Sequence, residues 1–108
     1  MSHIPEEEAK QIVSDIRKQS QTAIPVIINM SPKDRSSLSL KADRLICDTD
    51  QTVNSIRNQI ITTNPIMSIN ICVGKSIVKL STSISELYSK HNVHGILYIE
   101  VVQNAAFG

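Results

Sequence analysis

Tryptophan is missing from this 108-residue chain, and Tyr88, Tyr98 and Phe107 are its only other aromatic rings. A core made without rings has to be aliphatic, and a hydrophobic share of 41% is enough to fill one ordinary domain. Long apolar runs are also missing. No window approaches the 18 consecutive apolar residues that suggest a membrane-spanning helix. The opening MSHIPEEEAK is acidic and has no apolar centre, which points away from a secretion signal. A formal charge of +1 is too small to draw nucleic acid by bulk electrostatics. Cysteine is limited to Cys47 and Cys72, 25 positions apart and without a C-x-x-C pairing. The expectation is two reduced, partly buried thiols in a cytosolic protein.

Isoleucine dominates the apolar runs that are present, and β-branched side chains favour strands. The first segment, IPEEEAKQIVSDIRKQ, nevertheless has helical spacing: Ala9, Ile12, Val13 and Ile16 make one stripe. Pro5 suits its first turn, Glu6 to Glu8 face the positive end of the dipole, and Arg17 and Lys18 face the negative end. AIPVIINM predicts a strand with Ile24, Val26 and Ile28 on one face and Pro25 and Ile27 on the other. Proline belongs at strand starts or edges, so this strand is expected at an edge. A serine-rich loop follows, then RLICD, a short strand that most simply pairs antiparallel with the first.

Asp50 or Thr52 can cap a second helix, with Val53, Ile56 and Ile60 on its buried face and a stop before Asn64-Pro65. MSINICVG alternates, Gly74-Lys75 turns, and SIV returns as a short strand. Ser83 and Glu86 form a capping box for a short helix that buries Ile84, Leu87 and Tyr88. GILYIEVV is apolar on nearly both faces, as a central strand covered on both sides would be. A hairpin, a crossing helix and further strands predict an α+β chain: a β-grasp, or ubiquitin-like, mixed four-stranded sheet with an added N-terminal helix. The expected division is an N-terminal helical extension over 1–22, the β-grasp domain over 23–103, and a flexible tail over 104–108.

Three chemical motifs fail on inspection. Val73 to Ser76, VGKS, resembles the end of a phosphate-binding loop, but the glycine required five residues earlier is Ile69. His91 and His94 have no third ligand nearby, so exposed loop histidines are expected and no metal site. The serines lack a nucleophile elbow or a positioned base, so the chain does not read as an enzyme, and no cofactor is implied. Two features remain. One is an edge strand with Ile24, Pro25 and Ile27, close to Lys41 and Arg44, which could accept an added strand from another chain. The other is the ending on Gly108, behind Asn104, Ala105 and Ala106.

DIRKQSQTAIPVIINMSPKDR, the helix start at Thr52-Val53, SELYSKH, ILYIE and the closing Phe107-Gly108 form a set in order along the chain. Taken together, these segments resemble the autophagy-related protein 8 family, which includes GABARAP and the microtubule-associated light chain proteins. The resemblance implies a ubiquitin-like modifier of autophagy. A processing cysteine protease that recognises the tail at Phe107 would expose Gly108. Activating and conjugating enzymes would then pass its carboxyl to phosphatidylethanolamine. The protein would be a cytoplasmic monomer before conjugation and would lie on autophagosomal membranes after it.

The resemblance also implies binding of aromatic-x-x-aliphatic motifs in cargo receptors. A first pocket would use Ile16, Pro25, Ile27, Ile46 and Ile96, and Lys41 and Arg44 would meet acidic residues flanking the motif. A second pocket would use Leu45, Cys47, Ile56 and Ile60. Ala23, Asp48, Thr63, Asn70 and Cys72 depart from the family pattern, and most of its first helix is missing. Those departures imply a less basic second pocket and an altered enzyme-facing surface. Two alternatives fit the same residues: an autophagy-related protein 12-like modifier joined to a protein lysine, and a non-conjugated ubiquitin-fold binding module.

Overall fold

A computed structural model describes residues 3–32, 43–63 and 69–103, with side chains at 62 and 63 excluded. The elements are α1 (Glu6–Gln19), β1 (Ile24–Asn29), β2 (Arg44–Cys47), α2 (Val53–Thr63), β3 (Ile69–Val73), β4 (Ser76–Ile77), α3 (Ile84–His91) and β5 (Leu97–Gln103). Their order is the one the sequence predicts. The sheet runs β2-β1-β5-β3-β4 and is mixed: β1 pairs parallel with β5, and the other neighbours are antiparallel. It has five strands instead of the four expected, because the two residues of β4 join its far edge through Cys72–Ile77 and Val73–Ser76.

Local chemistry accounts for several of these boundaries. Ser83 Oγ accepts from the Glu86 N–H at 3.1 Å, so the predicted cap opens α3. Gly74 and Lys75 both have positive φ, at 59° and 72°, which is the two-residue turn whose twist suits a hairpin. At the end of α1, Arg17 Nη1 donates to the Ala23 carbonyl at 2.6 Å and ties the helix to the start of β1.

The two faces of the sheet are covered differently. On one, Val53, Ile56 and Ile60 of α2 and Ile84 and Leu87 of α3 join Ile24, Val26, Ile28, Ile71, Leu97, Ile99 and Val101 in the main aliphatic core. On the other, α1 covers a much smaller buried group of Ala9, Ile27, Ile96 and Tyr98, with Ile4, Ile12, Val13 and Val93 around it. Polar contacts help to hold α1 there. The Tyr98 hydroxyl accepts from the Ile4 N–H at 3.1 Å, and His94 Nε2 lies 3.6 Å from Glu6 Oε1. Gly95 allows close approach: a Cβ there would meet Val13 Cγ2 at 2.9 Å, and its φ of +86° is itself strained for any side chain.

The expected place of the first strand is also corrected. β1 is not an edge strand: it lies between β2 and β5, and β2 forms the edge. Pro25 is tolerated inside because of register. The Ile28 N–H donates to the Asp43 carbonyl at 2.7 Å. Bonded and non-bonded pairs alternate along an antiparallel ladder, so the Val26–Leu45 and Ile24–Cys47 pairs are the bonded ones and Pro25–Ile46 is not. On its other side, the β1–β5 ladder opens at Val26–Leu97, one residue past the proline. The missing N–H therefore interrupts neither ladder. His91 is also placed differently, in the last turn of α3 and not in a loop, although both it and His94 are exposed as expected.

Candidate functional site: a hollow beside the open edge of the sheet

The same alternation that accommodates Pro25 orients the backbone of β2. Leu45 and Cys47 turn their N–H and C=O groups toward β1, so those of Arg44 and Ile46 point away from the sheet. Among the described residues this edge has no neighbouring strand. Side chains alternate as well, and Arg44 and Ile46 share the face on which α1 lies. Ile46 is 64% exposed, a large apolar side chain standing on an open edge. Natural edges normally avoid that arrangement unless something is meant to cover it.

Beside Ile46 is a hollow of about 280 Å³ between α1 and β2. All five residues expected for the first pocket line it: Ile16 from α1, Pro25 and Ile27 from β1, Ile46 from β2, and Ile96 just before β5. Ile27 and Ile96 are buried and form its floor. Its size falls just below the usual pocket for a small ligand, roughly 300–1,000 Å³, and suits a single side chain. Ile12 and Asp15 also line it and were not singled out in the sequence. Ile12 precedes Ile16 by one helical turn, which was the available signal; nothing local marks Asp15.

Arg44 lines the same hollow, but its Nη2 lies 3.6 Å from Glu8 Oε1. Lys41, the other cation expected there, lies outside the described residues, as do Phe107 and Gly108.

Of the four residues assigned to a second pocket, Leu45 lines this same hollow and the other three do not. Cys47, Ile56 and Ile60 are buried members of the main core, and Leu45 packs against it half-buried. Burial, with help from the Asp48 charge, pushes the Cys47 thiol up to about 11, so it is protonated and unreactive at neutral pH. Cys72 is only partly buried and its thiol is raised by the same two causes, burial and a neighbouring carboxylate, here Glu100. The two cysteines are free thiols, and Cys47 is fully buried where partial burial was expected. A further hollow of about 380 Å³ near the β3–β4 turn has His3, Lys75, His91 and Glu100 among its lining residues. No cluster among the described residues could hold a metal ion.

The family model described as "Autophagy protein Atg8 ubiquitin like" matches residues 8–108. Among solved structures, Trypanosoma brucei ATG8 is similar with a TM-score of 0.78 at 19% identity, covering 100% of this chain and 95% of that one. Plasmodium falciparum Atg8 in complex with a Plasmodium falciparum Atg3 peptide is similar with a TM-score of 0.73 at 18% identity, covering 94% and 96%. Comparison with curated protein sequences finds no match.

Proposed function

The chain belongs to the Atg8 family of ubiquitin-like autophagy proteins, and we propose that it acts as a conjugated modifier and receptor-binding scaffold. The observation that carries the binding half of this reading is the aliphatic hollow beside the unpaired edge of β2. An aromatic-x-x-aliphatic peptide would lie along β2 as an added strand. Its backbone would bond to Arg44 and Ile46, and its ring would enter between Ile16, Pro25, Ile46 and the floor residues. Burying a ring of 150–250 Å² contributes roughly 4–6 kcal/mol before ordering costs. The strand bonds and the aliphatic residue of the motif add to that, docking and ordering remove much of the sum, and micromolar affinity, about −8 kcal/mol, is the ceiling for one short motif. A peptide complex of the Plasmodium relative supports a conjugating-enzyme partner for this chain as well.

For the conjugating half, Gly108 is the acyl donor. Its carboxylate attacks ATP to form an adenylate with release of pyrophosphate, an enzyme cysteine displaces AMP to give a thioester, and the phosphatidylethanolamine amine then displaces the thiol to form the amide. Glycine has no Cβ to hinder that attack. The protein then moves from the cytoplasm to the autophagosomal membrane. Family membership favours this lipid target over a protein lysine.

Incubation with the activating and conjugating enzymes of its source, ATP and phosphatidylethanolamine liposomes is expected to give a faster-migrating, membrane-bound form. Gly108→Ala should react far more slowly, and equal reaction would refute conjugation through this residue. For the groove, hydrogen exchange with a motif peptide should slow at the Arg44 and Ile46 amides and leave Leu45 and Cys47 unchanged. Protection confined to the α2 face would remove the assignment.

A further inference from the structure

The charges at the mouth of the hollow oppose the acidic flank that the family resemblance implies. Among the described residues, two charged side chains line the hollow, Arg44 and Asp15. Arg44 already has a carboxylate at 3.6 Å, Glu8 of α1. Asp15 accepts from Gln11 Nε2 at 2.9 Å, and its nearest described cation is Lys18 at 3.9 Å, a loose pair between exposed side chains. Arg17 is occupied elsewhere, with Nη1 donating to the Ala23 carbonyl. A carboxylate arriving beside Arg44 must therefore displace Glu8 and then remain close to Asp15. Among the described residues, an arriving ammonium or guanidinium meets two carboxylates on one helix face, seven residues apart, whose partners Arg44 at 3.6 Å and Lys18 at 3.9 Å are loose, exposed pairs.

We propose that Glu8 and Asp15 set the charge selectivity of this groove, so that it takes motifs flanked by basic residues in preference to acidic ones. This rests on the groove reading above and adds the class of peptide. The contacts are exposed, so the effect is modest: exposed ion pairs are individually weak, and two of them make about a three- to tenfold preference. Salt near 1 M shortens the screening length to about 3 Å and should reduce it.

The test uses three peptides with one aromatic-x-x-aliphatic core, preceded by three glutamates, three serines or three lysines. Binding to the whole chain is measured by fluorescence anisotropy and mapped by NMR. The serine peptide reports on the groove itself. The lysine peptide is expected to bind most tightly and the glutamate peptide least. In the E8Q/D15N variant the ratio of lysine-peptide to glutamate-peptide affinity should fall, with the serine peptide measuring any change in the groove itself; both substitutions are exposed and conserve shape. Tighter glutamate than lysine binding to the natural chain overturns the proposal, as does an equal change for all three peptides in the variant. If no peptide perturbs Ile27, Ile46 or Ile96, the groove reading fails and the selectivity claim falls with it.

Discussion

On one side of the sheet, α2 and α3 press a continuous set of isoleucines, valines and leucines against every strand except short β4. On the other, α1 contributes a single fully buried residue, Ala9, and is held in part by polar contacts: Glu8–Arg44, Glu6–His94 and the Tyr98 hydroxyl. The first face gains its stability from area removed from water, which is large and insensitive to charge. The second has less apolar area and leaves a hollow where α1 and β2 diverge. Binding surfaces are drawn from such thinly packed regions because a filled core has no room to admit a partner.

Truncation on each face should separate the two most clearly. Ile56→Ala, in the closed core, is expected to cost about 2–5 kcal/mol by the usual cavity penalty. Ile12→Ala, on the half-covered stripe of α1, should cost about 1–2 kcal/mol, since only part of its area leaves water. Denaturant midpoints for the two variants check this, and equal costs would erase the distinction between the faces. Gly95→Ala comes next. Its positive φ and the Val13 contact should cost about 1–3 kcal/mol, with amide exchange in α1 rising before that in α2; uniform loosening would mean that Gly95 supports the whole fold. Smallest in stability is Ile46→Ala. With 64% of its surface already in water, it should change unfolding by less than about 0.5 kcal/mol. The same change should weaken motif-peptide binding several-fold by anisotropy, and unchanged affinity would show that this side chain takes no part in docking.

The elements were legible because their signals are local. Ser83 and Glu86 sit three residues apart, Gly74-Lys75 interrupts an alternating strand, and Val53, Ile56 and Ile60 repeat at helical spacing. The five residues expected around the first pocket do line one hollow, although they come from four separate segments. The likeness to a family brought them together, since no spacing rule connects Ile16 to Ile96. Proline misled the placement of β1: its missing N–H argues for an edge only where a ladder bond would have fallen, and register decides that. The second set, Leu45, Cys47, Ile56 and Ile60, was expected to form a pocket, yet Cys47, Ile56 and Ile60 are buried core and Leu45 packs against them. An apolar residue reads the same in sequence whether it faces a cavity or fills one.

By itself the sequence determined which residues are helical, which are extended, and which face of each element is apolar. Those properties follow from backbone sterics and from periods of two and 3.6 residues, which act over a few positions. Only the tertiary structure decided that β2 is the open edge, that Pro25 lies harmlessly inside, and that Glu8 reaches Arg44 across the fold. Each of these depends on which distant segments become neighbours, and that is fixed by how the buried faces of all the elements pack together.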